Sequence, residues 1–331
     1  MRTTAVIGAG SWGTALAVHL NRTGQDVRLW GRDACLVSDI QRTGANQRYL
    51  PDIALAKTIR VTSDLSEALQ DASYVVFAVP SHGLRAVVRS AAPLLREEAI
   101  LVSAAKGLEE VTLARMSQAV IEETKGSHPT VVLSGPSFAV EVARGLPTAV
   151  LAVSADRAAL ACVQEHFRGP TFRLYGSDDV TGVEIGGALK NVIAIAAGAV
   201  EGLGLGHNSM AALITRGLAE ISRLAGAEGG RRETLAGLGG LGDLVLTCTG
   251  DLSRNRRVGI ELGRGRRLEE ILSRMHMVAE GIRTTSAALA LGAQHGIELP
   301  IAVQMKRVLD GTCSPREAVE TLMLRKQKTE D

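Results

Sequence analysis

Gly8-x-Gly10-x-x-Gly13 stands directly after the apolar run Thr3–Ile7 and opens the helical stretch 14–22, an arrangement that can hold the pyrophosphate of a dinucleotide. Gly8 permits the tight turn and Gly10 lets the anion approach the backbone. Gly13 lets the helix pack closely on the strand, and the helix N-terminus offers unpaired N–H groups. A glycine-rich turn without a ligand would share this spacing, but the strand before it and the helix after it favour binding. The next apolar run ends at Trp30 and continues as Gly31-Arg32-Asp33. A site for NAD commonly places an acidic residue there to hold both ribose hydroxyls. Arg32 can instead pair with a 2′-phosphate, which favours NADPH over NADH. Asp33, one residue on, keeps NADH in play, and an ordinary solvated arginine is the plainer description of Arg32.

Lys190 could do acid–base work. On a helix it shares a face with Gly186, Gly187, Ile193 and Ala194, and such small and apolar neighbours would desolvate an ammonium and lower its pKa. A lysine that lays its stem on that face and reaches water is the competing description. Asn191 can hydrogen-bond a substrate or a cofactor, or serve local packing. Asp243, in a glycine-rich turn before an apolar segment, could orient Lys190, accept from a substrate hydroxyl, or cap a helix. Thr247, one helical turn later, could add a hydroxyl on the same face, or cap or pack. Ser253-Arg254-Asn255 brings a hydroxyl, a guanidinium fork and an amide to a helix start, which suits a phosphate, although a solvated helix start would look the same. Lys106 follows a buried strand end, the edge at which open α/β sheets bind ligands, and Ser137 with the Gly135 backbone follows another.

The scaffold that must position these groups is legible in the periodicity. The runs 27–30, 74–79, 99–103 and 130–133 are apolar at nearly every position, with helix-like segments between most of them, as expected of strands covered on both faces in a parallel sheet. Runs at 148–153 and 171–175 could extend the sheet, with 157–167 as a crossover helix. Beyond about Asp179 the strand signal fades, and helical spacing takes over in 183–206, 208–225, 284–295 and 301–309. The expected fold class is an α/β N-terminal Rossmann-like domain with a mainly parallel sheet over residues 1–179. An all-α C-terminal domain carrying substrate and catalytic groups is expected over residues 180–331.

Composition narrows the partners. The chain has 331 residues, 46% hydrophobic and 22% charged, with 37 Lys plus Arg against 35 Asp plus Glu, which fits an ordinary two-domain globular protein. A net charge of +2 and an aromatic content of 3% supply neither a cationic field nor a stacking platform, so nucleic acid is not an expected partner. Cys35, Cys162, Cys248 and Cys313 stand apart without a C-x-x-C pair, and no leader-like segment precedes Thr3, which points to the cytoplasm. The apolar run 192–200 is flanked by Lys190 and Glu201 and is shorter than the roughly 20 residues that span a bilayer, so no integral membrane segment is expected. The 7 histidines are dispersed, so no metal site is expected. Cys248 reads as packing rather than as a nucleophile. Glycine-rich apolar helices in the second half could form the interface of a homodimer.

Further motifs appear in order: Lys106-Gly107-Leu108-Glu109, Ser134-Gly135-Pro136-Ser137-Phe138-Ala139, Leu189-Lys190-Asn191, Gly239-Gly240-Leu241-Gly242-Asp243-Leu244, Ser253-Arg254-Asn255 and Val278-Ala279-Glu280-Gly281. With Gly8 to Gly13 they closely resemble the bacterial NAD(P)-dependent glycerol-3-phosphate dehydrogenases over nearly the whole chain. One departure is Ala105 before Lys106, where many relatives carry cysteine; it leaves the lysine in place. The resemblance implies reversible reduction of dihydroxyacetone phosphate to sn-glycerol 3-phosphate, supplying the glycerol backbone for phospholipid synthesis. It implies that Lys190 accepts the proton in alcohol oxidation. It also implies cofactor contacts at Ser11, Trp12, Arg32, Lys106, Ala139, Arg254, Val278 and Glu280, with Tyr49 a weaker candidate that could equally be a packing aromatic. Substrate contacts are implied at Lys106, Gly135, Ser137, Lys190, Asp243, Ser253, Arg254 and Asn255. Two other readings share some of these features: a ketopantoate-type reductase with a Rossmann domain and helical partner, and a dinucleotide-sensing module without turnover.

Overall fold

A computed structural model describes residues 2–275, 279–327 and Thr329. Its first half is one sheet of eight strands: β1 (Thr3–Ile7), β2 (Asp26–Trp30), β3 (Arg60–Thr62), β4 (Tyr74–Phe77), β5 (Ile100–Ser103), β6 (Thr130–Ser134), β7 (Thr148–Val153) and β8 (Phe172–Ser177). The spatial order is β3-β2-β1-β4-β5-β6-β7-β8, and β1 to β6 are parallel throughout. The order reverses beside β1, between it and β4, and a crevice opens there at the carboxyl ends of the strands. β4 is buried at every position, which is why its run carries no polar alternation.

Two features depart from a plain parallel extension. β7 runs antiparallel to β6, and β8 then runs parallel to β7, with the helix Arg157–Phe167 between them as expected. β3 was not among the expected strands. It has only three residues, with Arg60 exposed at the sheet edge, so it offers too short an apolar pattern to register.

In the second half, the helix Val180–Gly202 is the spine, begun by Asp179, whose side chain accepts from the Gly182 amide. It is long and apolar enough to cross a bilayer by length and composition, but its most apolar window is wholly buried inside the protein. The helices Gly206–Ala227, Arg254–Gly263 and Glu280–Gln294 pack on it. Glycines set the closest approach: a Cβ on Gly198 would lie 2.0 Å from the Arg256 carbonyl oxygen, and one on Gly259 would lie 1.9 Å from that of Ile195. These glycines bring helices of one chain together, so part of the glycine content of this half serves internal packing. Leu108, from the loop after β5, is buried in the helical core. That loop therefore ties the crevice edge of the sheet to the spine.

Candidate active site

The dinucleotide turn is built from the backbone. Gly8 adopts φ +126°, and a Cβ there would lie 2.7 Å from the Ala78 carbonyl oxygen at the end of β4. A Cβ on Gly13 would fall 1.8 Å from the Gly8 carbonyl oxygen, whereas one on Gly10 would meet nothing within 4 Å. The first and third glycines are thus required by packing, and the second borders open space. The helix Ser11–Arg22 starts with Gly10 at its N-cap and no side-chain cap, which leaves this helix end to an anion. Trp12 follows, with its indole Nε1 buried and without a partner among the described residues. An open glycine, an uncapped helix start and an orphaned donor fit a dinucleotide phosphate and its neighbouring sugar.

Asn46 is a residue that sequence reasoning missed. It is fully buried, and its Nδ2 donates to the Ala9 carbonyl and to Thr14 Oγ1, each at 2.9 Å. Its Oδ1 accepts from the Tyr49 amide. The segment 46–50 is thereby fastened to the glycine turn, and Tyr49 packs partly buried against the same core. Nothing in the local sequence marks an asparagine for this work. At the end of β2, Arg32 is exposed and makes no hydrogen bond or ion pair with a described residue, whereas Asp33 is fully used. Its Oδ1 caps the helix Ala34–Thr43 through the amides of Cys35 and Leu36, and its Oδ2 pairs with Arg48 at 3.2 Å.

At the far side of the crevice three charged groups meet. Lys190 Nζ donates to Asp243 Oδ1 at 2.5 Å and to Thr247 Oγ1 at 3.0 Å. Lys106 Nζ donates to Asp243 Oδ2 at 2.7 Å and to the Gly135 carbonyl at 2.8 Å. Gly187 brings the spine close to the end of β6 beside this cluster, since a Cβ there would lie 3.0 Å from Ser134 Oγ. Lys190 is 7% exposed and Asp243 1%. Burial brings the Lys190 amine down to about 7, opposed by the Asp243 carboxylate and assisted by the Lys106 ammonium. Burial pushes the Asp243 carboxyl up, but the two lysines hold it below the usual aspartate value. The competing description of Lys190, a head reaching water, does not hold. Asp243 is not a cap either: it is the first residue of the helix Asp243–Thr249, entered from a π-helical turn over Leu238–Gly242 rather than from a loose turn. Its carboxylate has the lysines to serve.

The other expected residues divide. Ser137 Oγ donates to the Gly135 carbonyl, beside Lys106. Ser253 is buried and caps the helix Arg254–Gly263 by accepting from the Arg256 amide at 3.2 Å; its hydroxyl proton stays available. The Arg254 guanidinium makes no hydrogen bond or ion pair with a described residue, and burial lowers its pKa against the attraction of Glu280. Asn255 is committed internally. Its Nδ2 donates to Asn191 Oδ1 at 2.9 Å, and its Oδ1 accepts from the Gly281 amide at 3.0 Å. Asn191 keeps its own amide N–H groups. Glu280 crosses to the sheet half and accepts from the Ser81 amide at 3.1 Å and from its hydroxyl. Ala139 is the first residue of the helix Ala139–Arg144, which packs on the dinucleotide helix. Val278 lies outside the described residues. Glu184, which sequence reasoning missed, is buried and bonds Arg115 Nη1 and the Ser117 amide, both at 2.8 Å, fixing the spine to the sheet half. Cys248 is buried, and burial pushes its thiol up to about 12, which suits packing and not nucleophilic attack.

A near-neutral buried amine does little alone. Placed across a crevice from a turn shaped for a dinucleotide, it makes the working pair of a nicotinamide-dependent dehydrogenase, and that is the class the fold and the crevice define. Two family models narrow the class. The N-terminal part of NAD-dependent glycerol-3-phosphate dehydrogenase matches residues 3–160, and the C-terminal part matches residues 179–320. The chain belongs to this family. It is 52% identical to a glycerol-3-phosphate dehydrogenase [NAD(P)+] of Koribacter versatilis, over 100% of this chain and 99% of that protein. One of Geobacter sulfurreducens is 51% identical, over 98% of each. The crystal structure of glycerol-3-phosphate dehydrogenase from Coxiella burnetii matches with a TM-score of 0.95 at 42% identity, covering 98% of this chain and 99% of that one. A ketopantoate reductase from Ralstonia eutropha matches with a TM-score of 0.59 at 17% identity, a likeness of fold alone.

Proposed function

We propose that the chain interconverts sn-glycerol 3-phosphate and dihydroxyacetone phosphate in the cytoplasm, with NADPH the preferred reductant. The observation that carries this reading is the joint hold of Asp243 on Lys190 and Lys106. Lys106 follows β5 closely, and β5 is separated from β1 only by β4, so this cluster borders the same strand edge as the glycine turn. Adjacent strands lie about 4.8 Å apart, which sets the ends of β1 and β5 roughly 10 Å from each other.

The bound nicotinamide supplies the site that gives or takes a hydride at C2 of the substrate. The chain's own groups manage the proton and the charge. In oxidation, neutral Lys190 Nζ accepts the C2 hydroxyl proton, and in reduction the ammonium returns it to the carbonyl oxygen. Asp243 stays ionised and orients the amine, while Thr247 accepts from its second N–H. Lys106 adds a fixed positive charge beside the developing oxyanion. Arg254, with Ser253 and the free N–H groups of Asn191, is the donor set offered to the phosphate end. Asn255 fixes Asn191 and can add its remaining Nδ2 N–H to that set. Arg32 unpaired and Asp33 consumed by a cap support NADPH over NADH.

The test is Lys190→Ala, assayed with dihydroxyacetone phosphate and NADPH. Turnover is expected to fall by about 10³-fold or more, as when a general acid is removed, with NADPH affinity held within about twofold. Turnover kept within tenfold of the parent would overturn the assignment. Equal rates on dihydroxyacetone and its phosphate would overturn the substrate reading.

A further inference from the structure

We infer that Arg48 is a specificity-determining residue, the second guanidinium of a 2′-phosphate subsite that it forms with Arg32. The inference rests on the NADPH reading above and deepens it. Asn46 anchors this segment to the carbonyl of Ala9, inside the glycine turn, and to Thr14 in the first helical turn. Two residues later, Arg48 extends to Asp33, next to Arg32 at the end of β2, with an Nη1–Oδ2 distance of 3.2 Å. The adenosine ribose of a dinucleotide lies at that strand end. The Arg48 guanidinium carbon sits 5.2 Å from the centroid of the Tyr49 ring, a planar support that leaves its N–H groups free to turn.

Chemistry decides what Arg48 does at this spot. A carboxylate here would hold ribose hydroxyls and repel a 2′-phosphate. Asp33 is turned from that role by capping the Ala34–Thr43 helix through Oδ1, and before any phosphate arrives its Oδ2 is paired with Arg48. Both members of the pair are about half exposed, with side-chain exposures of 50% and 48%, so the pair is cheap to open. A phosphate dianion is the stronger partner for the guanidinium. Arg48 therefore exchanges Asp33 for the 2′-phosphate, while Asp33 keeps its cap.

The experiment measures binding of 2′,5′-ADP and of 5′-AMP by calorimetry to the wild type, Arg48→Ala and Arg32→Ala. In the wild type 2′,5′-ADP binds more tightly. Arg48→Ala is expected to weaken 2′,5′-ADP about tenfold, the loss of one charge-assisted contact, and 5′-AMP by less than twofold. Added salt should narrow the difference between wild type and variant. If Arg48→Ala weakens both nucleotides equally, or neither, Arg48 has no part in specificity even though the NADPH reading stands. A wild type that binds the two nucleotides alike overturns the NADPH reading itself. Asp33→Asn, which keeps the cap, should tighten 2′,5′-ADP; a weaker complex would count against the exchange.

Discussion

The two walls of the crevice are made differently. The dinucleotide wall is mainly backbone: a glycine at positive φ, a helix end and the close approach of Gly13 to the Gly8 carbonyl, all between Gly8 and Gly13. The catalytic wall is side chain: Lys106, Lys190 and Asp243 come from three distant segments and meet through contacts that only the fold creates. The contrast teaches that a site of local backbone geometry can be read from spacing, whereas a site of long-range contacts can be read only as candidates. It also predicts different failures. Damage to the first wall should appear in dinucleotide affinity, and damage to the second in turnover and its pH dependence.

The sharpest break in the catalytic wall after Lys190→Ala is Asp243→Asn. Removing the buried carboxylate leaves two lysines facing each other, and turnover should fall at least 10²-fold. The carboxylate raises the Lys190 pKa, so without it the amine loses its proton at lower pH. The limb of glycerol 3-phosphate oxidation that rises through about pH 7 should therefore move to lower pH, with 2′,5′-ADP affinity held within about twofold. A profile that stays in place while nucleotide affinity collapses would erase the distinction between the walls.

On the other wall, Gly8→Ala forces a side chain into φ +126° and within 2.7 Å of the Ala78 carbonyl oxygen. Strain of this kind costs on the order of 1–3 kcal/mol. NADPH affinity should fall about tenfold or more, and the melting temperature should drop. The pH at which oxidation reaches half its maximum should not move. A shifted pH midpoint in this variant would mean that the turn and the lysines are not separable.

How much could be read in advance follows the same division. Gly8, Gly10 and Gly13 were legible from their spacing, although the atom that excludes a Cβ at Gly8 belongs to Ala78, and β1 and β4 because neither carries a charged position. Lys190 was legible through its neighbours Gly186, Gly187, Ile193 and Ala194, which announce desolvation. Asn46 and Glu184 were not. Each works through partners tens of residues away, and a buried amide or carboxylate has the same sequence signature as a solvated one until the fold brings its partners. Asn255 shows a third case: its motif suggested substrate, and the structure adds a role the motif did not announce, tying Asn191 to the Gly281 amide while one Nδ2 N–H stays unused among the described residues. β3 escaped because three residues at an edge carry too little pattern.

The smallest expected effect belongs to Thr247→Val. Thr247 Oγ1 accepts from Lys190 Nζ and donates to the Asp243 carbonyl at 2.6 Å, so it stabilises the ammonium more than the amine. Valine keeps the shape and removes the acceptor, at a position only 5% exposed. The folded pKa of Lys190, already below its unfolded value, should fall further, by about half a unit given one neutral hydrogen bond in a site that already holds a carboxylate. Oxidation then gains at pH 6, where more of the amine is free, and reduction loses at pH 8, where less ammonium remains. Each change is roughly twofold to threefold, and opposite directions are required. Rates that fall together in both directions would mean that Thr247 only positions the lysine, and the catalytic wall would then owe its proton affinity to burial and Asp243 alone.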